Sequence, residues 1–271
     1  MKIVLLLLLF TVTIGSYASY SKEQWKERPD LKKYFKEAGV EGSFLLYDLK
    51  QDKYLGYNLK RTKIGFIPAS TYKIFNSLVA LETGVIRDEK EILKWDGIER
   101  KISSWNQDQD LQSAIRNSTV WFYQELARRI GQERMQHYVD LAHYGNRNIN
   151  GGIDRFWLDG DIRVTSEEQI DLLVKLHLNK LPFSARTVDI VKNILINEKT
   201  DRYTLRAKTG WSGVPDKKQT SPTPIGWWVG YVERKDNTYF FATNIDITKD
   251  EDAKARIPIT KNILRDLAII E

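Results

Sequence analysis

The chain contains no cysteine. A disulfide, a thiol nucleophile and a zinc–cysteine centre are therefore excluded. It has only three histidines, His137, His143 and His177, and none stands at a metal-ligand spacing. Asp108-Gln109-Asp110 lacks the glycine and the distal glutamate that a calcium loop needs, so it reads as a helix start. There is no repeat and no low-complexity tract. No basic block interleaved with aromatics is present either. Lys and Arg alternate with Asp and Glu almost everywhere, so the net charge of +6 describes a mixed, solvated surface. Nucleic-acid binding is the minor reading of such a surface. A mild positive bias suits attraction of small anions.

What is present is a chain of 271 residues, 42% hydrophobic and 29% charged. That is enough for one large domain, or two intimate subdomains, with a full apolar core. Met1-Lys2 precedes the apolar run of residues 3–10, and small residues end at Ala18. This is the pattern of a secretory leader, with an apolar run too short for a membrane span. The expectation is a leader over residues 1–18 and a mature chain of 19–271 exported to a bacterial periplasm or beyond. An uncleaved N-terminal anchor is the alternative.

The mature part reads as strands at both ends with helices between. Residues 21–38 have helical spacing of Trp25, Leu31, Tyr34 and Phe35. Residues 43–49 and 53–58 read as a strand hairpin. Helices follow over 111–131, broken at Asn117-Ser118, over 131–142 with Met135, Tyr138, Val139 and Leu141 inward, from Ser166, and over 188–196. Ser166 with Gln169 fits a capping box, which makes Glu167 and Glu168 cap residues rather than catalytic ones. Strands are expected at 203–208, 225–233 and 238–245, and a last helix over 259–270. The pattern is α+β, an antiparallel sheet built from both termini with a helical insertion at about 69–197.

The chain is organised around Pro68-Ala69-Ser70-Thr71-Tyr72-Lys73. An apolar-rich stretch follows and ends at Gly84, so Ser70 falls in the first turn of a buried helix with Lys73 on the same face. A serine becomes a nucleophile when a nearby base takes its proton. A lysine serves as that base when burial lowers its pKa. Ser-x-x-Lys alone is common; Ser19 and Lys22 match it too. Three further motifs follow in order: Ser118-Thr119-Val120, Tyr144-Gly145-Asn146 and Lys208-Thr209-Gly210. Ser-x-x-Lys with Lys-Thr-Gly is a signature of β-lactamases and penicillin-binding proteins.

The ordered set resembles the class D β-lactamases, the oxacillinase family. The likeness extends to Asn150-Gly151-Gly152-Ile153-Asp154, residues 156–160 and Gly226-Trp227-Trp228-Val229-Gly230, and so covers the mature chain. The resemblance implies the penicillin-binding-protein/β-lactamase fold and hydrolysis of penicillin-type antibiotics, hence resistance to them. It implies that Ser70 is acylated and that Lys73 is carboxylated by carbon dioxide to N6-carboxylysine, the general base. Val120 and Trp157 would keep that group dry, with the Trp157 indole donating to it. Ser118 would relay a proton to the lactam nitrogen. Lys208, Thr209 and Arg256 would hold the substrate carboxylate, with Gly210 in the same strand end. Backbone N–H groups of Ser70 and Trp211 would form the oxyanion hole, and Tyr144 would shape the site. No metal or other cofactor is implied, nor any nucleic-acid partner, nor a membrane once the leader is removed; a monomer and a homodimer both remain open. Tyr72 departs from the family's usual Phe, and the loop from Pro215 to Pro224 is long. A slowly deacylating penicillin receptor, a penicillin-sensitive peptidase and a binding module are the competing readings.

Overall fold

The computed structural model describes residues 24–213 and 223–271. The expected leader and most of the Pro215-to-Pro224 loop lie outside these residues. The elements, in order, are β1 (Trp25–Glu27), α1 (Lys32–Ala38), β2 (Gly42–Asp48), β3 (Lys53–Tyr57), α2 (Leu59–Thr62), α3 (Lys73–Glu82), α4 (Leu111–Asn117), α5 (Val120–Ile130), α6 (Gln132–Ala142), α7 (Ser166–His177) and α8 (Ala185–Ile194). There follow β4 (Ile196–Lys199), β5 (Tyr203–Trp211), β6 (Ile225–Arg234), β7 (Thr238–Asp246) and α9 (Arg256–Asp266).

The strands form one seven-stranded sheet in the order β1-β3-β2-β7-β6-β5-β4. The two termini meet at β2 and β7, where Leu45 pairs with Ala242. Alternation along the strands feeds two cores. Trp227, Val229 and Tyr231 of β6 face the helical side with α3, α5 and α7. Trp228 and Val232 face the other side, against α1 and α9. A sheet apolar on both faces must be covered on both, which is why the helices divide between them.

Several elements depart from the sequence reading. Residues 21–38 are not one helix. Trp25 pairs with Tyr54 in a parallel β1–β3 contact and stacks on its ring at 4.3 Å, and Pro29 restarts the chain as a helical turn. The expected antiparallel sheet thus has one parallel edge pair. The cap of α7 is formed one residue earlier, by Thr165 and Glu168, because Ser166 and Gln169 are buried. Leu141 is about half exposed, for the buried stripe of α6 runs through Met135, Val139 and Ala142. Helix α8 stops at Ile194, and the unexpected edge strand β4 begins at Ile196. Helix α9 starts at Arg256, a turn before residue 259. The hairpin, the break at Ser118 and the helix start after Asp110 stand where the sequence reading put them.

Candidate active site

Ser70 lies in a 3-10 turn, Ala69–Tyr72, that runs directly into α3 at Lys73. The turn is tight: Ala69 has φ of +48°, a left-handed conformation that a side chain resists by about 1–2 kcal/mol. Neighbouring elements hold it in place. The Trp227 indole donates to the Ile67 carbonyl at 3.0 Å. Gln169 of α7 donates to Thr71 Oγ1 at 2.7 Å, and that hydroxyl donates to the Pro68 carbonyl at 2.8 Å. Strand β5 approaches so closely that a Cβ on Gly210 would stand 2.9 Å from the Pro68 carbonyl. The glycine of Lys208-Thr209-Gly210 therefore lets the strand end press against the nucleophile turn.

Lys73 has no exposed surface. Its Nζ lies 2.6 Å from Ser70 Oγ, 3.0 Å from the Ser118 carbonyl and 3.3 Å from Ser118 Oγ. The Tyr123 ring lies 5.6 Å from the amine. Burial holds this amine well below the usual lysine range, and the nearby charge of Lys208 adds to the effect. A neutral amine at that distance can accept the proton of Ser70.

Ser118 occupies the break between α4 and α5, with φ of +55°. Its hydroxyl also accepts from Lys208 Nζ at 3.0 Å, so it sits between two amines. Lys208 faces the helical side of β5 and is almost fully buried. Burial, and then the charge of Arg256, push its pKa down to about 7. Thr209 Oγ1 lies 3.5 Å from the same amine. Arg256 lies against β6, where a Cβ on Gly226 would meet its Cδ at 3.4 Å. Its Nε and Nη1 are buried without a hydrogen-bond partner among the described residues, and burial lowers its pKa to about 10. Among the described residues no carboxylate pairs with Lys73, Lys208 or Arg256. Cations buried without a counter-ion make a site for an anion.

The remaining expected residues sit around this chain of contacts. Trp157 is fully buried and stacks on Tyr72 at 5.4 Å, and its indole N–H has no partner among the described residues. Tyr144 packs edge-on against Tyr72 at 5.3 Å and buries its hydroxyl. Both back the turn through Tyr72. Val120 opens α5 and is half-buried. Trp211 is partly exposed. Ala207 N–H donates away from β6 to Leu195, and Ser212 N–H donates into β6. Strand alternation therefore turns the Trp211 N–H away from β6, to the side of Ala207.

Two contacts in the site were not expected from the motifs: the Tyr123 ring beside Lys73, and Gln169, read only as a cap residue, on Thr71. Tyr123 follows Val120 by one helical turn, a spacing that could have marked it. Gln169 comes from a distant element, as does Trp227, whose bond to the Ile67 carbonyl its own motif does not indicate. Among the described residues, no group of three or more His, Asp or Glu side chains is arranged to hold a metal.

Comparison with known proteins bears on this geometry. Residues 19–265 match the penicillin binding protein transpeptidase domain. The chain is 43% identical to Beta-lactamase OXA-48 of Klebsiella pneumoniae over 92% of its own length and 91% of that protein. It is 41% identical to Beta-lactamase OXA-5 of Pseudomonas aeruginosa, over 94% of each. Its fold superposes on the class D β-lactamase YbXI from Nostoc with a TM-score of 0.85 at 48% identity, covering 90% of this chain and 100% of that one. The class D β-lactamase FUS-1 (OXA-85) from Fusobacterium nucleatum subsp. polymorphum also gives 0.85, at 39% identity, over 91% and 100%.

Proposed function

The chain belongs to the class D β-lactamases, within the penicillin-binding transpeptidase family, and from that premise we propose that it hydrolyses the β-lactam amide of penicillin-type antibiotics through an acyl-enzyme on Ser70, and so confers resistance. One observation carries this reading. The Ser70 hydroxyl, the Lys73 amine, the Ser118 hydroxyl and the Lys208 amine form an unbroken chain of contacts of 2.6, 3.3 and 3.0 Å.

Such a chain moves a proton from the nucleophile toward the leaving nitrogen. Ser70 Oγ gives its proton toward Lys73 and bonds to the lactam carbonyl carbon. The Ser70 and Trp211 N–H groups hold the developing oxyanion. Ser118, replenished by the proton Lys73 has taken, delivers a proton to the lactam nitrogen as the C–N bond breaks. Lys208, Thr209 and Arg256 hold the substrate carboxylate, whose negative charge offsets the buried cations. Water then releases the product from Ser70.

The site also fits a carboxylated Lys73. The amine is dry, burial favours its neutral form, and the Trp157 N–H is buried with no acceptor among the described residues. Lys73 would carry the carbamate and Trp157 would donate to it, with Val120 helping to exclude water. The chemistry that group supplies is a proton acceptor for both the acylating serine and the deacylating water. Residues 1–18 act as an export leader, which takes the mature chain of 19–271 to the periplasm of a Gram-negative bacterium. No helix among the described residues is long and apolar enough to cross a membrane.

The test is hydrolysis of penicillin, oxacillin and a carbapenem by purified protein, with and without added bicarbonate. Turnover that bicarbonate raises is expected. Protein that opens no penicillin under either condition would overturn the reading. A stable penicillin adduct without turnover would favour a receptor.

A further inference from the structure

The Ser118 turn carries backbone strain, since its left-handed φ belongs to a residue with a side chain. Besides the bonds from Lys73 and Lys208, it is held by residues outside the motifs. The Trp105 indole N–H donates to the Asn117 carbonyl, the bond just before Ser118, at 2.9 Å. The Trp105 carbonyl in turn accepts from the Trp121 indole N–H at 2.8 Å. Trp121 is on α5, three residues after Ser118, so the two indoles close a loop across the turn. Gln109, fully buried, donates to the Ser104 carbonyl at 2.9 Å and steadies the segment that carries Trp105. Trp121 itself is nearly buried, with the Arg100 guanidinium 5.8 Å over its ring.

We propose that Trp121 is a positioning residue for Ser118: by holding the Trp105 carbonyl, its N–H keeps the Trp105 indole on the Asn117 carbonyl and sets the Ser118 hydroxyl between the two lysine amines. The inference rests on the reading of Ser118 as the proton relay to the lactam nitrogen. Trp121 touches no reacting atom, so its effect must pass through Ser118. A shift of the hydroxyl by a fraction of an ångström stretches both contacts, and misplacement of that order slows chemistry more than it weakens binding.

The experiment uses Trp121→Phe, which keeps a ring and removes the donor. The acylation rate by penicillin is followed by mass spectrometry, so that slow variants stay measurable. In the otherwise unchanged enzyme, Trp121→Phe should lower the acylation rate about tenfold with KM within twofold. In a Ser118→Ala background the same change should alter the rate by less than twofold. Equal losses in both backgrounds, or no loss in the first, would overturn the proposal. Trp105→Phe, at a half-exposed position, removes the other donor and should reproduce the pattern if Trp121→Phe folds poorly. An unchanged enzyme that never acylates would instead strike at the β-lactamase reading itself.

Discussion

Two polar clusters sit at opposite ends of the same question. Around Arg61, every charge has a partner: the guanidinium makes bonds of 2.7 and 3.1 Å to Asp246 and of 2.6 and 2.9 Å to Asn244, and stacks on Phe66. Around Ser70, among the described residues, the Lys73 and Lys208 amines have only hydroxyls and carbonyls for company, and Arg256 Nε and Nη1 have nothing. The first arrangement ties α2 to β7 and pairs its charges, leaving only the Asn244 amide nitrogen buried without a partner among the described residues. The second is electrostatically unfinished, and burial moves its amines toward neutrality. A satisfied cluster stabilises the fold, whereas an unsatisfied one is kept for what arrives to complete it.

Variants on both sides sharpen this contrast. The largest effect belongs to Ser70→Ala, which should remove the covalent penicillin adduct and lower turnover by about 10⁴-fold or more, read by mass spectrometry and hydrolysis. Lys73→Met should abolish turnover while leaving the melting temperature unchanged or higher, since an apolar chain replaces an unpaired buried amine. A melting temperature that fell sharply would break the comparison. Arg256→Leu should cut kcat/KM for penicillin by roughly 30-fold, mainly through KM, as expected for loss of a charged contact to a carboxylate.

Arg61→Met should do the reverse. It leaves Asp246 without its guanidinium and should cost about 2 kcal/mol in denaturant unfolding, with kcat within twofold. The last effect is a slope. Folded Lys208 titrates near 7, against an ordinary lysine value of 10.5. As pH falls from about 10.5 to 7, the unfolded chain gains a proton that the folded chain refuses, so stability drops across that window and levels off below it. Lys208→Met should flatten that part of the stability curve.

Much of the site was legible because it is local. Ser70 and Lys73 lie within one turn, Ser118 follows Asn117 at a helix break, and Lys208-Thr209-Gly210 ends a strand. Other parts were less legible. The edge strand β4 is short and mostly polar, and its pairing with β5 depends on a partner rather than a pattern. The start of α9 was hidden by Pro258, which an α-helix accepts in its first turn but not in its interior. The Thr165–Glu168 cap competes with an equivalent frame one residue on, and only burial of Gln169 against Thr71 separates them.

The sequence by itself determined the helix that presents the nucleophile, the order of the motifs, the absence of thiol chemistry and the family to which these patterns point. Periodicity, capping residues and short motifs are properties of neighbours along the chain, and they survive without a fold. Only the tertiary structure decided that Lys73 is dry, that Ser118 stands between two amines from different elements, and that no carboxylate among the described residues pairs with Arg256. Those properties depend on desolvation and on distances between residues as far apart in the chain as Lys73 and Lys208, which no local pattern encodes.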